Sequence, residues 1–267
     1  MKALVIALVI APVLGALAAP ASAAEESPCV ATAGPMQADF PLRQVAAAID
    51  SKHLAVTVVG TASSTLPGEN GAAKAYPARL GEALRARFPG VDVQVTAHTK
   101  ARDNAATMAK DMQQILAADK PALVIWQAGT VDAMLGVDPD DFQSALDDGL
   151  DVLRGKVDAV LVNMQYSPRT DAMIALGAYL DAMRYAAMQH ETLLFDRLNV
   201  MKNWNDAGIF NLHADTKTID VAEHVHDCIG RLLAGLIVDG VEVAKANNAT
   251  NNTGAASPDN KDNKETH

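Results

Sequence analysis

Short runs of apolar and β-branched residues alternate along the chain with longer stretches of helical character. The short runs predict buried strands at 54–60, 91–97, 122–127, 157–164 and 192–196. The longer stretches predict helices at about 73–88, 103–118, 139–154, 171–189 and 216–237. Nearly continuous apolar strands separated by helices are typical of a parallel sheet covered on both faces. The pattern therefore predicts an α/β fold, a three-layer α/β/α flavodoxin-like domain with a five-stranded parallel sheet.

The two ends of the chain differ in composition from the region between them. Lys2 precedes an apolar run, and the small residues at 21–23 form a cleavage site, so 1–23 is predicted to be a secretory signal peptide. An uncleaved anchor is the alternative, although proline and glycine interrupt the run. Residues 244–267 are polar throughout and are predicted to be a disordered tail. We therefore expect one domain at 24–243 and a periplasmic or secreted protein that is not inserted in the membrane after cleavage.

Charge and aromatic content exclude several kinds of partner. The net charge is −10, which argues against binding to nucleic acid or to an anionic membrane. Aromatic residues make up only 4% of the chain, too few to build a stacking platform for bases or sugars. The remaining expectation is a monomer that acts on a small-molecule ligand.

The chain contains two cysteines, Cys29 and Cys228. In an oxidising compartment an even number of cysteines favours a disulfide, which here would join the start of the mature chain to the last helix. Two free thiols are the alternative. There is no C-x-x-C sequence, so neither a redox motif nor a zinc cluster is indicated.

Polar loops follow the predicted strands, and the first of them is the most unusual. The sequence GTASST at 60–65 places four hydroxyl residues directly after a buried strand. It contains no G-x-G-x-x-G, no G-K-[ST] and no G-x-S-x-G, so it is not a dinucleotide site, a P-loop or an α/β-hydrolase elbow. Two interpretations remain, a loop that carries a nucleophile and a turn that caps the next helix. Ligands bind beyond the carboxyl ends of the strands in such sheets, which favours the first.

Three blocks of sequence resemble the SGNH/GDSL hydrolase family. They are YPARL at 76–80, ALVIWQAGT at 122–130 and NMQYSPR at 163–169. The likeness is strongest to an exported bacterial subgroup, which also has one cysteine near its mature start and one in its last helix. The resemblance implies an exported serine ester hydrolase, an esterase or acyl/acetyl hydrolase without a cofactor or metal. Its substrate would be a small-molecule or glycan-linked ester.

The resemblance implies a set of site residues, and the sequence departs from the family at several of them. An oxyanion role falls to Gly129, and the family's neighbouring asparagine is replaced by Val131. The loop at 98–104 has no glycine where the family has one. The nucleophile is Ser63 by the spacing to the following threonine, but counting back from 76–80 places Ala62 there instead. Removing one oxyanion donor typically costs about 10²–10³ in rate.

The general base is also open to two interpretations. His226 lies on the inward face of the last helix, three residues after Glu223, which would orient its ring. Asp220 is a second candidate for that orienting acid. His213 precedes the helix, as the family's histidine does, but Phe210 stands where the family has its aspartate.

Two further polar residues are candidates for contacts with a substrate. Asp132 and Gln165 follow the third and fourth predicted strands, and each could instead serve only its own loop. Because several of the family's residues are replaced, the alternative function is an inactive SGNH-fold protein that binds a ligand or associates with the envelope.

Overall fold

The computed structural model describes Cys29 and residues 38–213 and 219–254. It confirms the predicted parallel sheet. The strands are β1 (His53–Gly60), β2 (Asp92–Thr99), β3 (Leu123–Gln127), β4 (Asp158–Val162) and β5 (Leu193–Phe195). They lie in the order β2-β1-β3-β4-β5, and every neighbouring pair is parallel. This is the flavodoxin-like order, in which the chain reverses its direction of winding between β1 and β3.

Five long helices cover the predicted helical stretches. They are α3 (Tyr76–Arg87), α4 (Ala105–Asp119), α6 (Pro139–Leu153), α8 (Gly177–Gln189) and α10 (Ile219–Gly254). Shorter helices that the sequence pattern did not predict are α1 (Arg43–Asp50), α5 (Thr130–Leu135) and α9 (Arg197–Asp206). Two more, α2 (Gly71–Lys74) and α7 (Pro168–Met173), overlap only the first residues of the stretches predicted at 73–88 and 171–189. Helices α5 and α9 begin in loops that follow strands and bring polar residues to the same edge of the sheet.

The helices form one layer on each face of the sheet. Helices α1 and α3 pack against α10 on one face, and α4, α6 and α8 pack in a row on the other. The strands β1, β3 and β4 are mainly apolar, and β3 has no exposed residue, whereas the edge strand β2 is largely polar and exposed. Gly149 allows α6 to approach the sheet, because a Cβ at this position would lie 2.4 Å from the ring of Trp126. Because the central strands are buried on both faces, a binding site is expected at their ends.

The predicted disulfide is present between Cys29 and Cys228, with the two Cα atoms 5.0 Å apart. It joins the start of the described chain to α10. The predicted signal peptide lies outside the described residues.

Helix α10 extends further than predicted. It continues to Gly254, so that part of the predicted tail is helical. Val241 and Ala244 are fully buried in this extension, and the Leu42 N–H donates to the Gly240 carbonyl at 3.0 Å. These contacts with the first helix explain why the helix does not stop at the change in composition. No helix among the described residues is long and apolar enough to cross a membrane.

Candidate active site

A cavity of about 500 Å³ opens at the carboxyl ends of β1 and β3, where the winding of the sheet reverses. The loop after β1, the start of α5 and one face of α10 form its walls. The lining residues are Thr61, Ala62, Ser63, Thr65, Leu66, Pro67, Ala101, Arg102, Thr130, Val131, Met134, Gln165, Ala222 and His226. The cavity therefore brings together Ser63, Gln165 and His226, three of the residues that the sequence singled out.

Ser63 lies in a single turn of 3-10 helix, Ala62–Ser64, directly after β1. Its hydroxyl donates to Gln127 Oε1 at 3.0 Å. The same oxygen accepts from the Thr61 N–H at 3.1 Å and from the Thr61 hydroxyl at 2.9 Å. Gln127 is the last residue of β3 and is fully buried. The side chain of a central strand therefore fixes the loop that carries Ser63.

The other small residues of the loop have distinct environments. Ser64 points into the core, where its hydroxyl lies 2.9 Å from the Tyr76 hydroxyl. Gly60 makes room for this arrangement, because a Cβ there would lie 2.4 Å from Ser64 Oγ. Ala62 is exposed and lines the cavity beside Ser63. Ser63 therefore carries the one hydroxyl of the Ala62–Ser64 turn that reaches the cavity.

Arg197, the first residue of α9, lies beneath the serine loop and is fully buried. Its Nη2 donates to the Ser63 carbonyl and to Gln165 Oε1, both at 2.9 Å. Its Nη1 lies 3.4 Å from Ser63 Oγ. Burial lowers the pKa of Arg197 to about 10, so the side chain is still a cation at neutral pH. Sequence reasoning missed this residue, because a single arginine after a strand carries no motif.

His226 projects from α10 to the cavity and is 5% exposed. Its Nδ1 accepts a hydrogen bond from the Tyr76 N–H at 3.0 Å. Burial, and secondarily the positive charge of Arg197, lowers the pKa of His226 to about 3. The ring is therefore neutral at physiological pH. Because Nδ1 is an acceptor, the proton of the neutral ring is on Nε2.

This protonation state matters for the proposed base. A histidine that removes a proton from serine through Nε2 needs a free electron pair on that nitrogen. In the described geometry Nε2 is a donor, and no hydrogen bond joins the Ser63 hydroxyl to His226 among the described contacts. The two side chains share the cavity without forming the pair that nucleophilic attack requires.

The predicted orienting acid, Glu223, and the predicted alternative base, His213, have other contacts. Glu223 forms an ion pair with Lys74 and makes no described hydrogen bond to the His226 ring. His213 is exposed and its Nε2 lies 3.5 Å from the Asn205 side chain. Neither residue lines the 500 Å³ cavity.

Asp132 and Gly129 are bound to each other at the start of α5. Asp132 is 1% exposed, and its carboxylate accepts from the Ala105 N–H at 2.9 Å and the Gly129 N–H at 3.3 Å. Burial raises the pKa of Asp132. Asp132 therefore does not line the cavity. Its carboxylate joins the first turn of α4 to the first turn of α5 by hydrogen bonds. The Gly129 N–H, predicted to face an oxyanion, is directed at this carboxylate instead.

The residue after Gly129 carries a hydroxyl group at the cavity. Thr130 lines the cavity, and its Oγ1 is buried with no hydrogen-bond partner among the described residues. The side chain of Val131, at the position where the SGNH/GDSL resemblance implied an asparagine, has no hydrogen-bond donor. Within the described part of the chain no group of three or more side chains is arranged to hold a metal ion.

Comparison with known proteins settles the family. The model of the non-GDSL lipase-like family matches residues 28–243. The chain belongs to this family. The resemblance to SGNH/GDSL hydrolases predicted from the sequence is thereby confirmed. None of the curated proteins matches the sequence significantly.

Solved structures with the same fold include several lipases and esterases. TesA is 21% identical, with a TM-score of 0.53, and the match covers 67% of this chain and 97% of TesA. The lipase/acylhydrolase from Enterococcus faecalis is 14% identical, with a TM-score of 0.55 and coverage of 68% and 96%. A variant of Axe2, an acetyl-xylooligosaccharide esterase from Geobacillus, is 16% identical, with a TM-score of 0.55 and coverage of 68% and 93%. At these sequence identities, the structural similarity establishes the fold of this non-GDSL lipase-like protein and does not establish its substrate.

Proposed function

We propose that this protein is an exported ester hydrolase in which Ser63 is the nucleophile. One observation carries the proposal. In a member of a lipase-like family, a serine hydroxyl and a histidine ring line one cavity at the carboxyl ends of the central strands. Structurally similar proteins that are named as an esterase and a lipase/acylhydrolase support hydrolysis of an ester.

The chemistry would proceed through an acyl-enzyme. Ser63 Oγ forms a bond to the ester carbonyl carbon while its proton passes to an imidazole nitrogen. That proton then goes to the departing alkoxide as the ester C–O bond breaks. Water hydrolyses the acyl-serine by the same sequence. The Thr130 hydroxyl has no hydrogen-bond partner among the described residues and lies on the cavity wall, where it would donate to the oxyanion.

To act as the general base, His226 must carry its ring proton on a different nitrogen from the one that carries it in the structure. For His226 to accept the serine proton at Nε2, the Tyr76 N–H has to release Nδ1 so that the ring proton can move there. The energy of that rearrangement adds to the barrier, so we expect slow turnover. His213 is the alternative base, and single alanine variants of the two histidines will distinguish them.

A second function is favoured by a specific observation. Ser63 Oγ donates to Gln127, and His226 Nδ1 accepts from the backbone, so both reactive groups are engaged by the scaffold. A site arranged in this way suits a protein that keeps the fold and binds a ligand in the cavity without hydrolysing it.

Turnover of p-nitrophenyl acetate and butyrate by the mature, oxidised protein separates the two functions. The hydrolase predicts release of p-nitrophenol that is abolished in Ser63→Ala. Ser144→Ala is the matched control, because Ser144 is exposed on α6. A folded wild type without turnover supports the binding protein. Turnover that persists in Ser63→Ala excludes Ser63 as the nucleophile.

Export has its own support and its own test. The Cys29–Cys228 disulfide is a bond typical of proteins that fold in an oxidising compartment. Expression of the full chain in bacteria, followed by fractionation and intact-mass analysis, should find a periplasmic or secreted protein that begins near residue 24. Full-length protein in the cytoplasm would contradict export.

A further inference from the structure

The 500 Å³ cavity that contains Ser63 is lined by a cation and by no acid among the described residues. Arg102, in the loop after β2, is exposed and lines the cavity. It is the one charged side chain among the described lining residues, because His226 is neutral. Arg197 adds a second cation behind the wall, where it donates to the Ser63 carbonyl and to Gln165. The cavity is therefore cationic in a protein whose net charge is −10.

The Arg102 side chain is not held by the scaffold. It forms no hydrogen bond or ion pair with any residue in the described part of the chain. The acid next to it in sequence, Asp103, pairs with Lys100 at 3.3 Å. Asp132 accepts from two backbone N–H groups, and Glu223 forms its ion pair with a lysine. The five N–H groups of the Arg102 guanidinium are thus available to a ligand.

The backbone at Arg102 favours a different residue. Its φ is 71°, in the left-handed region that suits glycine, and the loop at 98–104 lacks the glycine that the family resemblance implied. Lys52, Lys120 and Glu191 also have a positive φ, but none of them lines this cavity. An arginine therefore occupies a strained position where a glycine would have left the cavity wall uncharged.

We propose that the cavity binds an ester that carries a carboxylate at its far end, with the carboxylate on Arg102 and the ester group at Ser63. A guanidinium can donate in parallel to both oxygens of a carboxylate. Val131 and Met134 line the same cavity and suit a hydrocarbon spacer between the two groups. The volume lies within the range of roughly 300–1,000 Å³ that is typical of sites for small molecules. The inference rests on the proposed function only in placing the ester at Ser63, and it does not require that the ester be hydrolysed.

Monoamides of dicarboxylic acids test this binding without turnover, because their amide stands in for the ester and resists hydrolysis. The N-methyl monoamides of succinic, glutaric and adipic acid are titrated into the mature, oxidised protein by calorimetry, each beside its neutral N,N′-dimethyl diamide. At low salt we expect a monoamide to bind about three- to tenfold more tightly than its diamide, and the preference to shrink as salt is added. Equal affinities within every pair, or no binding by any of the compounds, would overturn the proposal.

Two variants assign the preference to one side chain. Arg102→Gln removes the charge, and glutamine is unbranched at Cβ like arginine, so the backbone strain is unchanged. It should abolish the preference for the monoamide and leave diamide binding as it is. Lys100→Gln is the matched control, because it removes one charge from the same loop at a residue that does not line the cavity. Loss of the preference in both variants, or in neither, would overturn the role of Arg102.

Turnover separates this inference from the proposed hydrolysis. If the protein hydrolyses esters, Arg102→Gln should raise KM for monomethyl glutarate about three- to tenfold with kcat nearly unchanged, and should alter neither constant for dimethyl glutarate. A preference for the monoamide without any ester turnover would support the carboxylate site and contradict the hydrolase. Turnover of p-nitrophenyl acetate without a preference for the monoamide would support the hydrolase and overturn the carboxylate site.

Discussion

Replacing His226 by asparagine should change how the stability of the protein depends on pH. Asparagine Oδ1 can accept the hydrogen bond that the Tyr76 N–H gives to Nδ1 in the wild type. The variant therefore preserves the buried acceptor and removes the titrating group. The difference in free energy of unfolding between the two proteins then reports the protonation of His226 alone.

The magnitude follows from the lowered pKa. Folding shifts the pKa of His226 from 6.5 to about 3, so the unfolded chain binds more protons between these values. The stability associated with the neutral ring is fully present above pH 6.5 and is lost as the pH falls towards 3. At about 1.36 kcal/mol per pH unit, the loss between pH 7.5 and 4.5 is about 2–3 kcal/mol.

Urea unfolding of both proteins at pH 7.5, 6.0 and 4.5 provides the assay. Asp158 acts in the opposite direction, because burial raises its pKa to about 6, but it is present in both proteins and cancels in the difference. We expect the advantage of wild type over His226→Asn to shrink by about 2–3 kcal/mol as the pH falls. If the difference in free energy of unfolding between the two proteins did not depend on pH, His226 would not be a buried, neutral histidine whose Nδ1 accepts a hydrogen bond.

Three other predictions concern the scaffold. Replacing Cys29 and Cys228 by serine opens a loop with a sequence separation of 199 and should lower the unfolding free energy by about 5 kcal/mol in urea; an unchanged midpoint would show that the bridge is absent. Asp132→Ala leaves two buried N–H groups without an acceptor, so thermal unfolding should reveal a loss of about 1–3 kcal/mol for each. Truncation after residue 239 removes the buried Val241 and Ala244 and should lower the Tm by several degrees, whereas truncation after residue 254 should not.

The strands could be predicted because the core strands are nearly continuous apolar runs, and the long helices because their apolar residues recur on one face. Leu123–Trp126 is an example, since these four residues are all buried and all apolar. The short helices were missed because each is set by contacts made in three dimensions. The start of α5, for example, depends on the Asp132 carboxylate, whose other partner is the Ala105 N–H in a different helix.

The sequence was enough to predict where the candidate site lies, but not the hydrogen bonds between its residues. Ser63 and Gln165 were found because polar residues after strands meet at one end of a parallel sheet, and His226 because it lies on the inward face of the last helix. Which nitrogen of His226 is occupied depends on the Tyr76 backbone, 150 positions away, and no side-chain pattern reports that contact. The burial of Arg197 is equally invisible, since an arginine at the start of a helix is usually solvated.

The end of α10 shows the limit of composition as a guide. The residues after 243 are polar enough to predict disorder. Gly240 packs against Leu42, however, and the helix continues to Gly254. Packing of the preceding turns overrides a weak local preference.

Labelling with a fluorophosphonate measures directly whether Ser63 is a nucleophile. The reagent forms a bond from phosphorus to a reactive serine oxygen and releases fluoride, so it reports nucleophilicity without assuming a substrate. The mature, oxidised protein is incubated with the reagent, digested and mapped by mass spectrometry. If Ser63 is the nucleophile, one adduct forms on Ser63, and it is absent from Ser63→Ala and retained in Ser144→Ala. A folded protein that acquires no adduct, or acquires it on another residue, would contradict the assignment of Ser63 as the nucleophile.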